Sequence, residues 1–254
     1  MKPVFRCENI VKYYEAEPVI KDINLELCEG GFISLLGPSG AGKTTLFNVL
    51  AGVDKPDSGK VFLNDEDITG ISGRVSYMLQ KDLLLEYRTT LDNVILPLLI
   101  RGEKKRNARE KAAGFFPMFG LSGYEKKYPC ELSGGMRQRA ALLRTCMQHN
   151  QVLLLDEPFS ALDAITRNAM QSWYAGIAAE MKFSTLFITH DVEEALVLSD
   201  IIYILNGKPG KITKIINVKE NRPQKKDYLS SEEFDRDDSL HYAQMKRLVL
   251  QTIS

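Results

Sequence analysis

One octapeptide constrains this chain more than any other: Gly37-Pro38-Ser39-Gly40-Ala41-Gly42-Lys43-Thr44 satisfies G-x-x-x-x-G-K-S/T at every fixed position. Phe32 to Leu36, just before it, is a short β-prone run, and Thr45 to Ala51, just after it, repeats its apolar residues at helical spacing. A glycine-rich loop set between a strand and a helix is suited to surround phosphate. Its backbone N–H groups close around the oxygens and the helix start adds a favourable field. Lys43 brings a point charge to the β and γ phosphates, and Thr44 offers a hydroxyl to Mg2+. The candidate phosphate contacts are therefore Gly37, Pro38, Ser39, Gly40, Ala41, Gly42, Lys43 and Thr44, with Thr45 beside them. The rival reading, a glycine-rich turn with an accidental Lys-Thr, is disfavoured by the flanking strand and helix. No Asn-Lys-x-Asp guanine-reading motif occurs, which favours ATP.

A second constellation lies far along the chain. Val152-Leu153-Leu154-Leu155 is a buried-type strand that ends in Asp156-Glu157, and ligands of open α/β sheets sit at the C-terminal strand edge. Asp156 is placed to reach a Mg2+ shell, and Glu157, one residue on, to orient or deprotonate an attacking water. Alone, an apolar run followed by Asp-Glu reads as a strand-terminating turn; beside the phosphate loop it reads as catalytic machinery.

Around these motifs the pattern is α/β. Residues 4 to 28 alternate in two runs that predict antiparallel strands, Thr89 to Gln148 reads as helical with loop signals at Gly120, Gly123 and Pro129, and strand patterns return at Val152–Leu155, Thr185–Thr189 and Ile201–Leu205. A helical stretch carrying Met170, Trp173 and Ile177 separates the first two of these. With 33 basic and 33 acidic residues, the chain gives no reason to expect a nucleic-acid partner. The basic run Lys104 to Lys111 reads as a solvated helix face, with phospholipid contact as the other option. Cys7, Cys28, Cys130 and Cys146 have no metal or redox spacing, which suits a reducing cytosol. The N-terminus lacks a secretory apolar run, and no stretch reaches the roughly 18 apolar residues of a membrane span.

Leu132-Ser133-Gly134-Gly135-Met136-Arg137-Gln138-Arg139 resembles the signature of ABC ATPases, departing from its commonest form at Met136 and Arg137. Ser133 reads as a helix N-cap, followed by an apolar stripe at Met136, Ala140, Leu143 and Met147. Other motifs of the family fall in the same order. Tyr14 stands where the family stacks an aromatic on adenine, with Tyr13 competing for the role. Gln80 stands where it contacts Mg2+ and the membrane partner, Ser160-Ala161-Leu162-Asp163 resembles the D-loop, and His190 the switch histidine. Each has a bland alternative: a core tyrosine, a surface amide, a helix cap at Asp163, a packed histidine. The resemblance covers roughly residues 4 to 216. It implies a P-loop NTPase core, a mixed sheet flanked by helices, with an antiparallel β subdomain and an inserted α-helical subdomain at about 89–148. It further implies that Ser133, Gly134, Gly135 and Asp163 of one subunit close on ATP held by another in a homodimer or a pair of such ATPases. Glu157, His190, Gln80 and Lys43 would then be catalytic, with Mg2+ on Thr44, Gln80 and Asp156.

Phe159 to Arg167, Asn206 to Ile212 and Arg222-Pro223 look like the nitrate/sulfonate/taurine group of importer ATPases, which includes importers of thiamine precursors. That likeness implies a cytoplasmic subunit held on the inner face of the cell membrane by a permease, with an extracytoplasmic binding protein as an indirect partner. Leu83 to Val94 is similar to the groove segment that receives a permease helix. Two rivals stay open: a soluble ABC ATPase with a mechanical role, which usually carries a long coiled coil or two cassettes, and a small-molecule kinase, which leaves the signature unexplained. Residues 1–218 form the expected nucleotide-binding domain. Residues 219–254 form a charged extension, in which Ser230-Ser231-Glu232-Glu233 opens an amphipathic helix with Phe234, Met245, Leu248 and Val249. Cys130-Glu131 departs from the family's usual lead-in to the signature.

Overall fold

The computed structural model describes residues 2–160, 162–218, 243 and 246–252. In chain order, strands β1 (Pro3–Tyr14), β2 (Glu17–Cys28) and β3 (Phe32–Leu36) precede helix α1 (Lys43–Leu50), followed by β4 (Ser58–Leu63), β5 (Glu66–Asp67) and β6 (Ser76–Met78). Helices α2 (Thr90–Val94), α3 (Leu96–Ile100) and α4 (Lys105–Ala113), a 3-10 turn at Pro129–Glu131, and α5 (Gly134–Cys146) come next. Then β7 (Val152–Asp156), α6 (Ala164–Met181), β8 (Ser184–Thr189), α7 (Val192–Leu198), β9 (Ile201–Asn206) and β10 (Lys211–Asn217) complete the order.

These elements form two compact units, Met1–Arg74 with Lys182–Ser254, and Val75–Met181. The first holds an antiparallel sheet in the order β2-β1-β4-β5 and a second group of strands in the order β10-β9-β3-β8. Within that group β3 runs parallel to β8 and β9, while β10 is antiparallel to β9, which makes a mixed sheet.

The alternation expected for residues 4 to 28 is present, but each strand is 12 residues long rather than a short run. The pairing slips between Cys7/Leu25 and Ile10/Ile23, where Asn9 takes a positive φ of 49°, and again between Ile10/Ile23 and Lys12/Ile20, where Asp22 takes one of 54°. A bulge re-aims the chain so that Ile10 and Ile23 stay on the buried face after the slip. The two runs read in the sequence are β1 and β2, and the extra residue interrupts the period of two within each.

Helix α7 packs its apolar side on the sheet of the first unit. Val192, Ala195 and Leu196 join Leu36, Ile202, Ile204 and Ile216 in one buried cluster, and Val249 from the C-terminal helical residues 246–252 completes it. Val249 is fully buried, and Lys246 forms an ion pair with Glu193 of α7. Of the helix expected in the tail, Leu248 and Val249 fall on described residues; Arg222-Pro223, Ser230 to Phe234 and Met245 lie outside them.

The second unit carries the parallel pair β6–β7 and helices α2 to α6. Four cations of the basic run of helix α4 are paired with three carboxylates: Lys105 and Arg109 reach Asp92, Lys111 reaches Glu103, and Arg106 reaches Glu110. Glu131, in the unusual lead-in, accepts from the Tyr128 N–H at 2.7 Å and pairs with Lys127. That local role fixes the turn ahead of the signature. Among the described residues no helix is long and apolar enough to cross a membrane.

Candidate active site

In the first unit, β3 delivers the chain into the loop at Gly37, whose missing side chain matters because a Cβ there would strike the Leu205 carbonyl. Gly42 sets the start of α1 at φ 92°, and a side chain there would run into Ile20 and Val19. Helix α1 has no acidic residue in its first turn, so the field of its N-terminus is left for an anion. Lys43 is 7% exposed and its ammonium donates to the carbonyls of Gly37 at 2.8 Å and Pro38 at 2.9 Å. A buried lysine whose ammonium is held against the loop's own carbonyls is a cation placed for phosphate oxygens. Thr44 and Thr45 follow on the helix.

Tyr14 and His190 belong to the same unit. Both Tyr13 and Tyr14 are exposed, so neither is a core residue. Tyr14 is the one that is pinned: its hydroxyl donates to Asp54 at 3.0 Å and also hydrogen-bonds Thr45 beside the phosphate loop. Lys12 lies 5.4 Å from the ring centroid and pairs with Asp54 at 3.0 Å. The Lys12 hydrogen bond holds the Asp54 carboxyl below its ordinary value, and desolvation with the Asp54 contact pushes the Tyr14 phenol up. His190 is exposed and follows Thr189, which lies opposite Leu36 in the β3–β8 register. Gly37 and His190 therefore leave neighbouring strands at the same edge. Asp191 then caps α7 by accepting from Glu193 at 2.8 Å and Glu194 at 3.3 Å, which fixes the turn that carries His190.

In the second unit, Met78 lies opposite Leu155 in parallel register, so Gln80 and the pair Asp156-Glu157 emerge at one edge. Gln80 Nε2 donates to Glu157 Oε2 at 3.2 Å. Asp156 is buried, and Tyr77 hydrogen-bonds it; burial first, then the Asp156 charge, raise the Tyr77 phenol. Glu157 takes a left-handed φ of 45°, unusual for a non-glycine residue, and Ser160 secures its carbonyl through Oγ at 2.9 Å and N–H at 3.2 Å.

Ser133 caps α5 by accepting from the Met136 N–H at 3.3 Å. A Cβ on Gly135 would sit 3.4 Å from Thr166, and one on Gly134 4.0 Å from Leu162, ordinary contact distances that place the signature beside Leu162 and the start of α6. Asp163 caps α6 by accepting from the Thr166 N–H at 3.0 Å, which lowers its carboxyl; Ala161 lies outside the described residues. Along the expected stripe Ala140, Leu143 and Met147 are buried, and Met136 is half-buried.

A groove of about 570 Å3 runs past this site, lined by Gln80 to Leu84, Arg137, Gln138 and Ser160. Leu83 is half-exposed on it, and the Oε1 of buried Gln138 has no hydrogen-bond partner among the described residues. Arg137, one of the two departures in the signature, forms ion pairs with Asp82 at 2.9 Å and Glu86 at 2.8 Å. Burial would raise the Asp82 carboxyl, but the Arg137 hydrogen bond, the Leu84 N–H and the charges of Arg137 and Arg144 outweigh it and hold it low. Sequence reading passed over Lys12, Asp54, Tyr77, Asp82 and Arg144, because their partners lie far along the chain.

A family model described as ABC transporter matches residues 20–160, more than half of the chain. The chain belongs to the ABC transporter family. It is an ATP-binding cassette, and the cassettes of these transporters hydrolyse ATP. It is 43% identical over 197 residues to a formylaminopyrimidine import ATP-binding protein of Halalkalibacterium halodurans, covering 78% of this chain and 77% of that one. An aliphatic sulfonates import ATP-binding protein of Bacillus cereus is 37% identical over 228 residues, covering 88% and 90%. Among solved structures, the dimeric structure of a bacterial ABC transporter cassette superposes with a TM-score of 0.74 at 26% identity, covering 84% of this cassette and 98% of that chain. A post-hydrolysis dimer with ADP and phosphate bound gives the same TM-score at 27% identity.

Proposed function

We propose that this cassette is the motor subunit of an importer, with two copies sharing two ATP molecules and a permease seated on them. The observation that carries the reading is the division of phosphate-binding groups: a glycine loop with a buried Lys43, and a separate capped helix start at Ser133 that a head-to-tail partner would supply. Residues 1–218 act as the nucleotide-binding domain, with 89–148 as its helical subdomain, and 219–254 as a C-terminal extension. Tyr14 stacks on adenine, and Gly37 to Thr45 hold the phosphates. Glu157 positions the attacking water, Gln80 and His190 are the further catalytic residues, and Ser133, Gly134, Gly135 and Asp163 complete the partner's site.

The donor set suits magnesium, since the Thr44 hydroxyl, the Gln80 amide oxygen and the Asp156 carboxylate are hard oxygen ligands. When bound, the ion supplies positive charge to the phosphates. The groove beside Gln80 is the permease seat, so a permease helix pressing there bears on the residue that holds Glu157. The solute belongs to the class handled by the similar import proteins, a sulfonate or a thiamine precursor, delivered by an extracytoplasmic binding protein. The subunit works at the cytoplasmic face of the membrane.

Replacing the base by its amide tests the reading. Glu157→Gln is expected to bind ATP, to lose about 100-fold or more in turnover, and to accumulate a dimer that light scattering detects. A strictly monomeric Glu157→Gln protein at saturating ATP would overturn it.

A further inference from the structure

The chain between Gln80 and α2 is gripped from two sides. On the α2 side, the Asn93 side chain accepts from the Leu85 N–H at 2.7 Å and donates to the carbonyls of Leu85, Arg88 and Thr89 at 3.1 Å each. On the α5 side, Arg137 spreads its guanidinium over two carboxylates: Nε to Asp82 at 2.9 Å, and Nη2 to Asp82 at 3.2 Å and to Glu86 at 2.8 Å. Two helical turns further on, Arg144 donates to the Leu83 carbonyl at 2.7 Å and to the Asp82 carbonyl. Leu83 itself takes a left-handed φ of 46°, a conformation a leucine keeps only when its surroundings enforce it.

Arg137 also belongs to the first turn of α5, where its N–H donates to the Ser133 carbonyl at 2.9 Å. Ser133 and Gln80, the two ends of this connection, serve different nucleotides in a head-to-tail dimer. In the dimer proposed above the signature would face ATP held by the partner, while Gln80 holds Glu157, which that reading assigns to the subunit's own nucleotide. A planar fork with paired carboxylates transmits displacement because its hydrogen bonds fix angle as well as distance.

We propose that Arg137, with Asp82 and Glu86, is a positioning residue that couples the two ATP sites, passing closure of the signature on one nucleotide to Gln80 and Glu157 at the other. The inference rests on the shared-site dimer proposed above. Arg137 touches neither substrate nor metal; it acts through the segment that carries Gln80.

The test is steady-state ATP hydrolysis against ATP concentration for the full-length wild type and for Arg137→Met, Arg137→Lys, and the exchange Asp82→Arg with Arg137→Asp. Nucleotide affinity is measured in parallel at dilutions where each protein is monomeric. Wild type is expected to show a Hill coefficient above 1. Arg137→Met should bring it to 1 and lower kcat about tenfold, while monomer affinity for ATP stays within about twofold, given that couplings of this kind run from about 5- to 150-fold. Arg137→Lys, which keeps the charge and loses the fork, should fall between, and the exchange should restore part of the Hill coefficient. An unchanged Hill coefficient and kcat in Arg137→Met would overturn the proposal while an ATP-dependent Glu157→Gln dimer leaves the shared-site reading standing. Loss of monomer ATP affinity in both Arg137→Met and Arg137→Lys would also overturn it, since that marks a merely structural role. A wild-type Hill coefficient of 1 with no Glu157→Gln dimer defeats both.

Discussion

Glu157 combines an unusual backbone with a useful position. A non-glycine residue in the left-handed region costs about 1–3 kcal/mol, and here Ser160 holds it there through two bonds to its carbonyl while Gln80 takes its carboxylate. Tyr14 is held in a comparable way, by Asp54 and Thr45 at its hydroxyl and Lys12 near its ring. Tyr14→Leu is expected to lower ATP affinity about tenfold, the scale of base stacking on an aromatic. Asp54→Asn should lower it about threefold with kcat unchanged; equilibrium binding of a fluorescent ATP analogue checks both. Lys43, Thr44, Asp156 and Glu157 stand out in the sequence because each belongs to a short motif of fixed spacing. Asp54 could not, since 40 residues separate it from Tyr14 and nothing local marks it. The contact that distinguishes Tyr14 from Tyr13, its hydroxyl on Asp54, is equally long-range.

At the scale of elements, helix caps were readable and their second partners were not. Ser133 caps α5 as its position before a helical stripe suggests, and Asp163 and Asp191 cap α6 and α7. The bulges of β1 and β2 were hidden because each breaks the period of two that strand reading relies on. The Arg137–Asp82 pair carries a pH signature. The Asp82 carboxyl is held below its ordinary value, so the pair contributes stability above that ordinary value and loses it as pH falls through the lowered one. Denaturant midpoints taken between about pH 5 and about pH 3 are expected to drop more in wild type than in Arg137→Met. The C-terminal helical residues make a separate contribution. Val249→Ala removes two buried methyl groups from the cluster with α7 and should cost about 2 kcal/mol, read as a lower denaturant midpoint with an unchanged slope.

At the scale of the whole molecule, the proposed function divides the work between a glycine loop carrying buried Lys43 and a separate helix start capped by Ser133. The order of motifs along the chain was enough to recognise the family, because each motif is a short local solution to binding phosphate. The groove beside Gln80 was legible only as a resemblance; its lining draws on three separate stretches of sequence, brought together by α5 and the Ser160 turn. No motif in the phosphate machinery points to a solute, because those residue types are set by the chemistry of phosphate and magnesium. The central claim, that each ATP is hydrolysed between two copies, is tested most directly by ATP turnover per subunit across a dilution series at saturating ATP, with light scattering on the same samples. Turnover per subunit should fall in proportion to the dimer fraction as the protein is diluted; a rate that stays constant where only monomer remains would contradict it.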